Sequence, residues 1–300
     1  MPDLKSGFVA IVGRPNAGKS TLLNAFLKQK ISIVSRVPQT TRHTIRGILN
    51  LKEAQIVFVD TPGLHLYKER LSSELNSVAK NSLKDTEVIL YLVDCSRPPQ
   101  REENNIMNML TSVRTPLIMV LNKIDKSRKH INDYIQLWNH KTRSKASSLK
   151  YFIPASSLRG DNLDRVTAAI LEFLPQGQPF YDQDTVTDFP LLYRAADLIR
   201  EKICLILRQE LPHSTAVEVE DMEEKDRFTH VRANILVARK SQKAIIIGEA
   251  GSTIKEIGSR ARADLEDLLG RKVFLDLWVK VERHWQNKPR ILRELGYSNI

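Results

Sequence analysis

Short apolar runs alternate with longer amphipathic segments through the first half of the chain. The runs are rich in β-branched residues and have the length of strands, whereas the segments between them have room for helices. This alternation predicts an α/β domain with a mostly parallel sheet wrapped by helices. The predicted strands cover residues 8–12, 45–51, 55–60, 88–94, 116–122 and 151–154.

The first domain is expected to span residues 1–174. Residues 161–174 have the pattern of a closing helix, with Asp161 as its N-cap and Pro175 as its stop. Residues 175–190 then contain three prolines, one glycine and three aspartates, with no lysine or arginine. This composition predicts a linker over residues 175–190.

The pattern after the linker predicts a smaller α+β domain over residues 191–283, followed by a polar tail at 284–300. A chain of 300 residues has the usual length for two such domains. The predicted order is a helix at 191–210, strands at 215–219 and 230–238, a short helix, a glycine-rich turn, a helix at 253–269 and a strand at 272–281.

The apolar runs are far shorter than the roughly 18 residues that cross a bilayer, and the apolar stretch at the N-terminus is too short for a signal peptide. We therefore expect a cytoplasmic protein. The two cysteines, Cys95 and Cys204, lie far apart in apolar stretches, which favours reduced thiols over a disulfide or a metal site.

The net charge of +11 indicates polyanionic partners such as nucleotide, RNA or anionic lipid. Residues 1–174 carry +11, the predicted linker −3 and residues 191–300 +3. The second domain separates its charges, because residues 218–226 are acidic whereas residues 227–272 hold ten basic and five acidic residues. One face of this domain is therefore expected to attract phosphate.

The segment between the predicted strand at 8–12 and the helical pattern after it matches the phosphate-loop motif G-x-x-x-x-G-K-S/T. Glycines there let backbone N–H groups turn toward phosphate oxygens, and the helix N-terminus adds its positive dipole end. Lys19 is expected to neutralise the β and γ phosphates during catalysis, and Ser20 to bind Mg²⁺. The motif consists of Gly13, Arg14, Pro15, Asn16, Ala17, Gly18, Lys19 and Ser20.

A second motif favours GTP over ATP. Asn122, Lys123 and Asp125 follow the apolar residues 117–121, and the Asp125 carboxylate can accept hydrogen bonds from both N1–H and the N2 amine of guanine. The two motifs together resemble the P-loop GTPase superfamily. The resemblance implies that Asn122 and Lys123 brace the phosphate loop and lie along the base. It also implies that the backbone at Ser156 and Ser157 meets guanine O6.

A third motif, between the other two, ends the predicted strand at 55–60; it consists of Asp60, Thr61, Pro62 and Gly63. Asp60 is expected to hold Mg²⁺ through water, and the Gly63 N–H to touch the γ phosphate. Residues 39–43 resemble the first switch segment of GTPases, which supplies a threonine to Mg²⁺. Thr41 is favoured for this catalytic role, and Thr40 stays open.

Two further positions bear on hydrolysis. Leu64 stands where Ras-like enzymes place a water-orienting glutamine, so intrinsic hydrolysis is expected to be slow or differently assisted. By resemblance to related GTPases, Asn16 helps to hold K⁺ near the phosphates. The expected ligands are therefore GTP or GDP with Mg²⁺, and K⁺ is a hypothesis.

The second domain contains a G-x-x-G turn at the entry to a helix, and its element order resembles that of a bacterial-type KH domain. In KH domains this turn clamps the backbone of four nucleotides. Glu249 and Ala250 stand at its centre, where a basic residue is common, so the grip is expected to rely on helix N–H groups, Lys243 and Lys255. The candidate RNA-binding residues are Ile247, Gly248, Glu249, Ala250, Gly251, Lys243, Lys255 and Arg283.

Bases bound by such a domain lie in an apolar groove, which Ile235, Ile247 and Ile254 could line, although each could equally belong to the core. Trp278 is expected to pack rather than stack, because its strand alternates as a half-buried one. The tail through Trp285 and Lys288 is a further candidate for RNA contacts.

The order and spacing of these motifs, with LWVKV and LGY near the C-terminus, resemble the Era family of bacterial GTPases over residues 7–298. The resemblance implies a GTPase that binds 16S ribosomal RNA near its 3′ end, assists 30S subunit assembly and associates peripherally with the inner membrane. We expect a monomer in which GTP orders the switch segments and makes the RNA groove available.

The sequence leaves two other interpretations. The main alternative is a regulatory, membrane-associated GTPase whose second domain binds protein or lipid. A pure RNA-binding module with a degenerate nucleotide site is disfavoured, because every nucleotide motif is filled.

Overall fold

The computed structural model describes residues 4–35, 41–61, 85–143, 147–207, 211–212 and 214–297. The chain divides into two compact units. Among the described residues, the first unit comprises 4–32, 41–61 and those from 85 to 188, and the second comprises 33–35 and those from 189 onward. Each unit has its own hydrophobic core.

The first unit is built on a six-stranded sheet in the order β2-β3-β1-β4-β5-β6. Only β2 runs antiparallel to its neighbour, so the predicted mostly parallel sheet is confirmed. Every residue of β3, β4 and β5 is buried, as expected for parallel strands covered on both faces. The strands are β1 (Lys5–Val12), β2 (Ile45–Asn50), β3 (Ala54–Asp60), β4 (Val88–Asp94), β5 (Leu117–Asn122) and β6 (Leu149–Pro154).

The described helices of this unit are α1 (Lys19–Leu27), α2 (Arg101–Leu110), α3 (Ile131–Thr142) and α4 (Leu163–Phe173). Tyr134 and Trp138, one helical turn apart on α3, pack with Met107 of α2 and Tyr91 of β4. The predicted N-cap of the closing helix is wrong by one residue: the cap is Asn162, in a left-handed conformation. Asp161 instead pairs with Ser156 through the backbone.

Residues 175–188, which have the composition of a linker, lie along the first unit. Gln55 is the main anchor: its Oε1 accepts hydrogen bonds from the backbone of Phe180 (2.7 Å) and Tyr181 (3.0 Å), and its Nε2 donates to the Tyr181 carbonyl (2.7 Å). The Ile48 N–H of the edge strand β2 donates to the Val186 carbonyl at 2.8 Å. The segment contributes mainly its backbone N–H and carbonyl groups to these contacts. A segment with the composition of a linker can therefore still make them. The structure itself divides the chain between Asp188 and Phe189, and the limits 174 and 191 stay predictions.

The second unit has a three-stranded sheet in the order β7-β8-β9, with β7 antiparallel and β9 parallel to β8. Helices cover one face of it, where Ile199, Ile235, Ile257 and Val279 form the core. The predicted α+β domain of the KH type is thereby confirmed. Its elements are α5 (Leu191–Ile206), β7 (Thr215–Glu224), β8 (Thr229–Val237), α6 (Lys240–Ile247), α7 (Ser252–Leu269), β9 (Val273–Val281) and α8 (Pro289–Glu294).

In the part of the chain that the structure describes, no helix combines the length and the apolar character needed to cross a membrane.

Candidate functional site

The nucleotide motifs of the first unit meet at one edge of its sheet. The phosphate loop follows β1, Asp60 ends β3, Asn122 ends β5 and Ser156 follows β6. Because β1, β3, β5 and β6 run parallel, their carboxyl ends share this edge, where α/β proteins bind ligands. The sheet topology therefore brings together motifs that are far apart in sequence.

The phosphate loop has the conformation of an anion cradle. Asn16 and Gly18 adopt positive φ angles of 60° and 105°, and α1 begins at Lys19. Lys19 is buried, and its Nζ donates to the carbonyls of Gly13 and Arg14, both at 3.2 Å. Burial lowers the pKa of Lys19 to about 8, against the attraction of Asp60. An anion in the loop would raise this pKa and replace the carbonyls as partner of the ammonium group.

Gly18 cannot accept a side chain without disturbing this loop. A Cβ there would lie 2.4 Å from Asn122 Nδ2, in addition to the strain of the left-handed backbone. We expect Gly18→Ala to lower the free energy of unfolding by about 2 kcal/mol and to weaken GDP binding by roughly tenfold. Chemical denaturation and calorimetric titration measure the two effects.

The control is Gly270→Ala in the second unit. Gly270 also has a positive φ, of 66°, but a Cβ there meets nothing within 4 Å. It should show the backbone strain alone, with GDP binding unchanged. Equal GDP binding by wild type and Gly18→Ala would contradict the close approach to Asn122.

Two hydroxyl groups contact the Asp60 carboxylate, and a third hydroxyl contacts one of them. Ser20 Oγ lies 2.9 Å from Asp60 Oδ2 and 2.8 Å from Thr41 Oγ1, and Ser32 Oγ lies 3.1 Å from Asp60 Oδ2. Burial raises the pKa of Asp60 against the opposing effects of Lys19 and the Ser20 and Ser32 hydroxyls. The structure thus brings together the three predicted metal-binding residues, Ser20, Thr41 and Asp60.

This cluster fits Mg²⁺ in its donor chemistry. Asp60 Oδ1 is buried and has no hydrogen-bond partner among the described residues, and the neighbouring hydroxyls are hard oxygen donors. The described residues contain no group of three or more His, Cys, Asp or Glu side chains that could hold a metal ion by themselves. The site therefore suits a cation that takes most of its other oxygens from phosphate and water.

The base-recognition residues are held by hydrogen bonds. Asn122 Nδ2 donates to the Ala17 carbonyl (2.8 Å), while its Oδ1 accepts from the N–H and Oγ of Ser157, each at 2.9 Å. Ser156 Oγ donates to Asp125 Oδ1 at 2.6 Å. Asn122 therefore joins the phosphate loop to the loop after β6, and Ser156 fixes the carboxylate expected to read guanine.

Lys123 and Arg14 meet at Asp94, a residue that the motifs did not identify. Lys123 Nζ lies 2.8 Å from Asp94 Oδ2 and donates to the Asn16 carbonyl at 2.5 Å. The Arg14 guanidinium pairs with Asp94 (3.5 Å) and with buried Glu103 (2.5 Å). Burial raises the pKa of Asp94, but hydrogen bonds from Lys123 and Ser96 outweigh it and hold the pKa below its ordinary value. The Arg14 side chain braces the loop, so only its backbone is left to bind phosphate.

Sequence reasoning also missed Ser32 and the residue that positions it. Asn24 Nδ2 donates to the Ser32 carbonyl at 2.7 Å, and its Oδ1 accepts from the Ser32 N–H at 2.9 Å. Neither residue belongs to a spaced motif, and the same holds for Asp94 and Glu103. No signal in the sequence singles them out.

Thr61 is the last described residue of the motif that Asp60 begins. Thr61 is buried, and its hydroxyl donates to the Ile11 carbonyl at 3.1 Å, so it ties β3 to β1. Pro62, Gly63 and Leu64 lie outside the described residues, as does Thr40.

The G-x-x-G turn of the second unit has the backbone that glycine favours. Gly248 and Gly251 have φ angles of 73° and 78°, and Ala250 adopts a left-handed conformation between them. A Cβ at Gly248 would lie 2.2 Å from Thr253 Oγ1, so this glycine permits the close turn into α7. Glu249 and Ala250 are exposed at the tip, and α7 begins directly after Gly251.

A groove of about 360 Å³ lies between α7 and the edge strand β9, and its lining begins at Ile254, close after the turn. Ile254 lines it as predicted, whereas Ile235 is fully buried in the core and Ile247 packs against the core. Lys255 lines the groove, and Lys243 is not among the residues that line it. The lining residues that sequence reasoning missed are Gly258, Ser259, Arg262, Val273, Phe274, Leu275 and Leu277.

Two tryptophan predictions are wrong. Trp278 is 62% exposed, because its strand position faces away from the helices, and Trp285 is fully buried with its Nε1 donating to the Ser214 carbonyl at 3.0 Å. Trp285 is therefore closed to RNA. Lys288 pairs with Glu282, and Arg283 is exposed two residues after the end of β9.

The fold and the sites define a P-loop GTPase that carries a C-terminal KH domain. Residues 8–123 match the family of 50S ribosome-binding GTPases, and residues 210–286 match the KH domain family. The chain is 42% identical to GTPase Era of Ruminiclostridium cellulolyticum, over 98% of each chain. It is 44% identical to GTPase Era of Halothermothrix orenii, over 98% of this chain and 99% of that one.

Two solved structures align with nearly the whole chain. An Era variant from Aquifex aeolicus bound to GDP·AlF₄⁻ is 39% identical with a TM-score of 0.91, over 98% of this chain and 100% of that one. Era in complex with MgGDPNP and nucleotides 1506–1542 of 16S ribosomal RNA is 40% identical with a TM-score of 0.93, over 98% and 99%. The chain therefore belongs to the Era family of GTPases. It is a GTP-hydrolysing enzyme.

Proposed function

We propose that this GTPase binds small-subunit (16S) ribosomal RNA near its 3′ end and assists assembly of the 30S subunit. This proposal rests mainly on the open groove close to the G-x-x-G turn, which the cationic residues Lys255 and Arg262 help to line. A relative of the same family, which aligns with 98% of this chain, is bound to nucleotides 1506–1542 of 16S ribosomal RNA, and this supports the choice of ligand.

GTP binding uses the residues gathered at the edge of the first sheet. The backbone from Gly13 to Ser20 cradles the phosphates, and Lys19 neutralises charge that grows on the β–γ bridge during hydrolysis. Asp125 binds the edge of guanine. Asn122 holds the phosphate loop and the loop after β6 beside it through hydrogen bonds to Ala17 and Ser157. Ser20, Thr41 and Asp60 would hold Mg²⁺, which supplies electrostatic stabilisation to the phosphate oxygens. Pro62 and Gly63 complete the proposed γ-phosphate contacts, with the Gly63 N–H as the donor.

The nucleotide state is proposed to control RNA binding. Thr41 and Asp60 belong to the two switch segments, and contacts to a γ phosphate would hold both segments in one arrangement that hydrolysis releases. We expect a short 16S 3′-end oligonucleotide to bind more tightly with a non-hydrolysable GTP analogue than with GDP. Filter binding at a fixed salt concentration, with a scrambled oligonucleotide as control, measures both preferences.

Either outcome of this experiment is informative. Tight binding that depends on RNA sequence and is favoured by the analogue supports a nucleotide-controlled assembly factor. Binding that is indifferent to sequence and nucleotide would overturn the RNA proposal and leave the alternative, in which the second unit binds protein or lipid.

Hydrolysis is proposed to depend on K⁺ through Asn16, which lies exposed in the phosphate loop. We expect hydrolysis to be about tenfold faster in K⁺ than in Na⁺, because the cation replaces positive charge that an arginine finger otherwise supplies. Phosphate release in the two salts measures this ratio. Asn16→Gly keeps the left-handed backbone, removes the side-chain oxygen and should bring the ratio to one. Equal rates in both salts for wild type would reject the hypothesis.

We further propose a cytoplasmic monomer that associates peripherally with the inner membrane. The net charge of +11 supports attraction to anionic headgroups. Sedimentation of the purified protein tests the monomer. Flotation with vesicles containing 30% anionic lipid at low and high salt (roughly 0.05 and 0.5 M) tests the electrostatic attachment.

A further inference from the structure

An aromatic cluster lies at the far end of the groove from the G-x-x-G turn. Phe274 lines the groove and touches two other rings: its centroid is 6.2 Å from that of Phe228 and 5.2 Å from that of His230. Despite both contacts, Phe274 is 58% exposed and Phe228 is 36% exposed. A ring that packs against other rings on one side and is exposed to solvent on the other can serve as a stacking surface.

The strand register places this cluster where the groove meets the face of the sheet that the helices leave uncovered. Val273 and Leu275, on either side of Phe274, pack toward the helices, so the Phe274 ring lies on the other face, opposite His230 of β8. Since β9 is an edge strand, a chain leaving the groove can pass over it onto that face. There it meets Phe274 first.

Charge distinguishes Phe274 from the other exposed aromatic residue of β9. Around Phe274 lie Arg262, which lines the same groove, and Lys272, which pairs with Glu266 at 3.5 Å. Glu223 of β7 lies opposite His230. Trp278 instead lies opposite Asn234, which donates hydrogen bonds to Glu218 and Glu220. Acidic side chains are therefore present at both positions, and Glu220 near Trp278 also pairs with Lys280. The groove cation Arg262 is the feature that favours a polyanionic strand at Phe274.

His230 adds a polar group to the cluster. Its Nε2 is buried and has no hydrogen-bond partner within the described parts of the chain. Because this nitrogen is buried, His230 supports the Phe274 ring from the side of the sheet and does not itself contact a base.

We propose that Phe274, supported by Phe228 and His230, is a stacking platform for an RNA base beyond the four nucleotides clamped at the turn. The inference rests on the proposed RNA binding and adds a subsite to it. Its ligand is an unpaired nucleotide of a single strand, because only an unpaired base has a free face for the ring. The platform tolerates any base, so it adds affinity and sets the length of RNA that is bound.

The test uses the full-length protein and a series of labelled 16S 3′-end oligonucleotides, extended one nucleotide at a time from four to ten at either end. Fluorescence anisotropy gives Kd for each. In wild type, affinity should rise about tenfold at one step of the series, the step at which a base reaches Phe274. Phe274→Ala and Phe274→Leu should lose that step and bind the shortest RNA like wild type. Phe274→Trp should keep it.

The matched control is Tyr151→Ala, which removes a partly exposed aromatic side chain from β6, the edge strand of the first sheet. It should leave the whole series unchanged. If Phe274→Ala keeps the step in affinity, the platform is wrong while RNA binding stands. If Phe274→Leu keeps it, apolar contact rather than stacking explains the gain, and the platform is again wrong. If wild type binds no RNA of the series, the proposed function fails and the platform with it.

Discussion

Lys19→Ala is expected to lower kcat/KM for GTP hydrolysis by about a thousandfold. Lys19 is buried at the start of α1, with its Nζ directed at the loop carbonyls of Gly13 and Arg14. In a site shielded from water, a positive charge acts more strongly on the negative charge that develops at the transferred phosphate. Alanine removes that charge from the site. Single-turnover phosphate release measures the chemical step, and calorimetric titration measures GDP affinity separately.

The control for Lys19→Ala is Lys28→Asn. Lys28 is an exposed lysine at the other end of α1, and asparagine tolerates its left-handed conformation. This variant loses the same unit of charge and should hydrolyse GTP at the wild-type rate. A Lys19→Ala enzyme within tenfold of wild type would show that the ammonium group does not stabilise the transition state.

The second large effect is a change of nucleotide specificity in Asp125→Asn. Guanine presents two donors, N1–H and the N2 amine, to the Asp125 carboxylate, whereas xanthine has a carbonyl group in place of the amine. An asparagine can accept from N1–H and donate to that carbonyl. We expect GTP affinity to fall on the order of 10⁴-fold and XTP to become the preferred nucleotide, because a site built for two hydrogen bonds rejects a mismatched partner strongly. Competition titrations with the two nucleotides measure the ratio.

Asp133→Asn is the matched control, because it neutralises an exposed carboxylate near the start of α3 that pairs with His130. It should leave the preference for GTP intact. If Asp125→Asn still prefers GTP over XTP, then Asp125, which Ser156 holds at 2.6 Å, does not read the base.

The nucleotide motifs could be found in the sequence because their chemistry is local. A loop that cradles phosphate needs glycines at fixed spacing before a helix, so Gly13, Gly18 and Lys19 are recognisable without any tertiary information. The contacts among these motifs could not be predicted in the same way. Ser20, Thr41 and Asp60 lie in three separate segments, and only the order of strands in the sheet brings their oxygens within hydrogen-bonding distance.

The supporting residues could not be predicted for the same reason. Asp94 and Glu103 neutralise Arg14 from a strand end and a helix start, and a single carboxylate at either place is common in any sequence. The segment at 175–188 also makes contacts that its sequence does not announce: its composition is that of a linker, while its backbone binds the side chain of Gln55. Composition reports what a segment can do alone, not which surface it meets.

By itself the sequence determined the two folds, the GTPase motifs and the presence of a KH turn, because these depend on periodicity and on residues close together in the chain. The tertiary structure decided which side chains are available to a ligand. It buried Trp285, exposed Trp278 and placed Phe274 at the end of an open groove. Exposure depends on what packs against a residue from distant parts of the chain, and no local pattern contains that information.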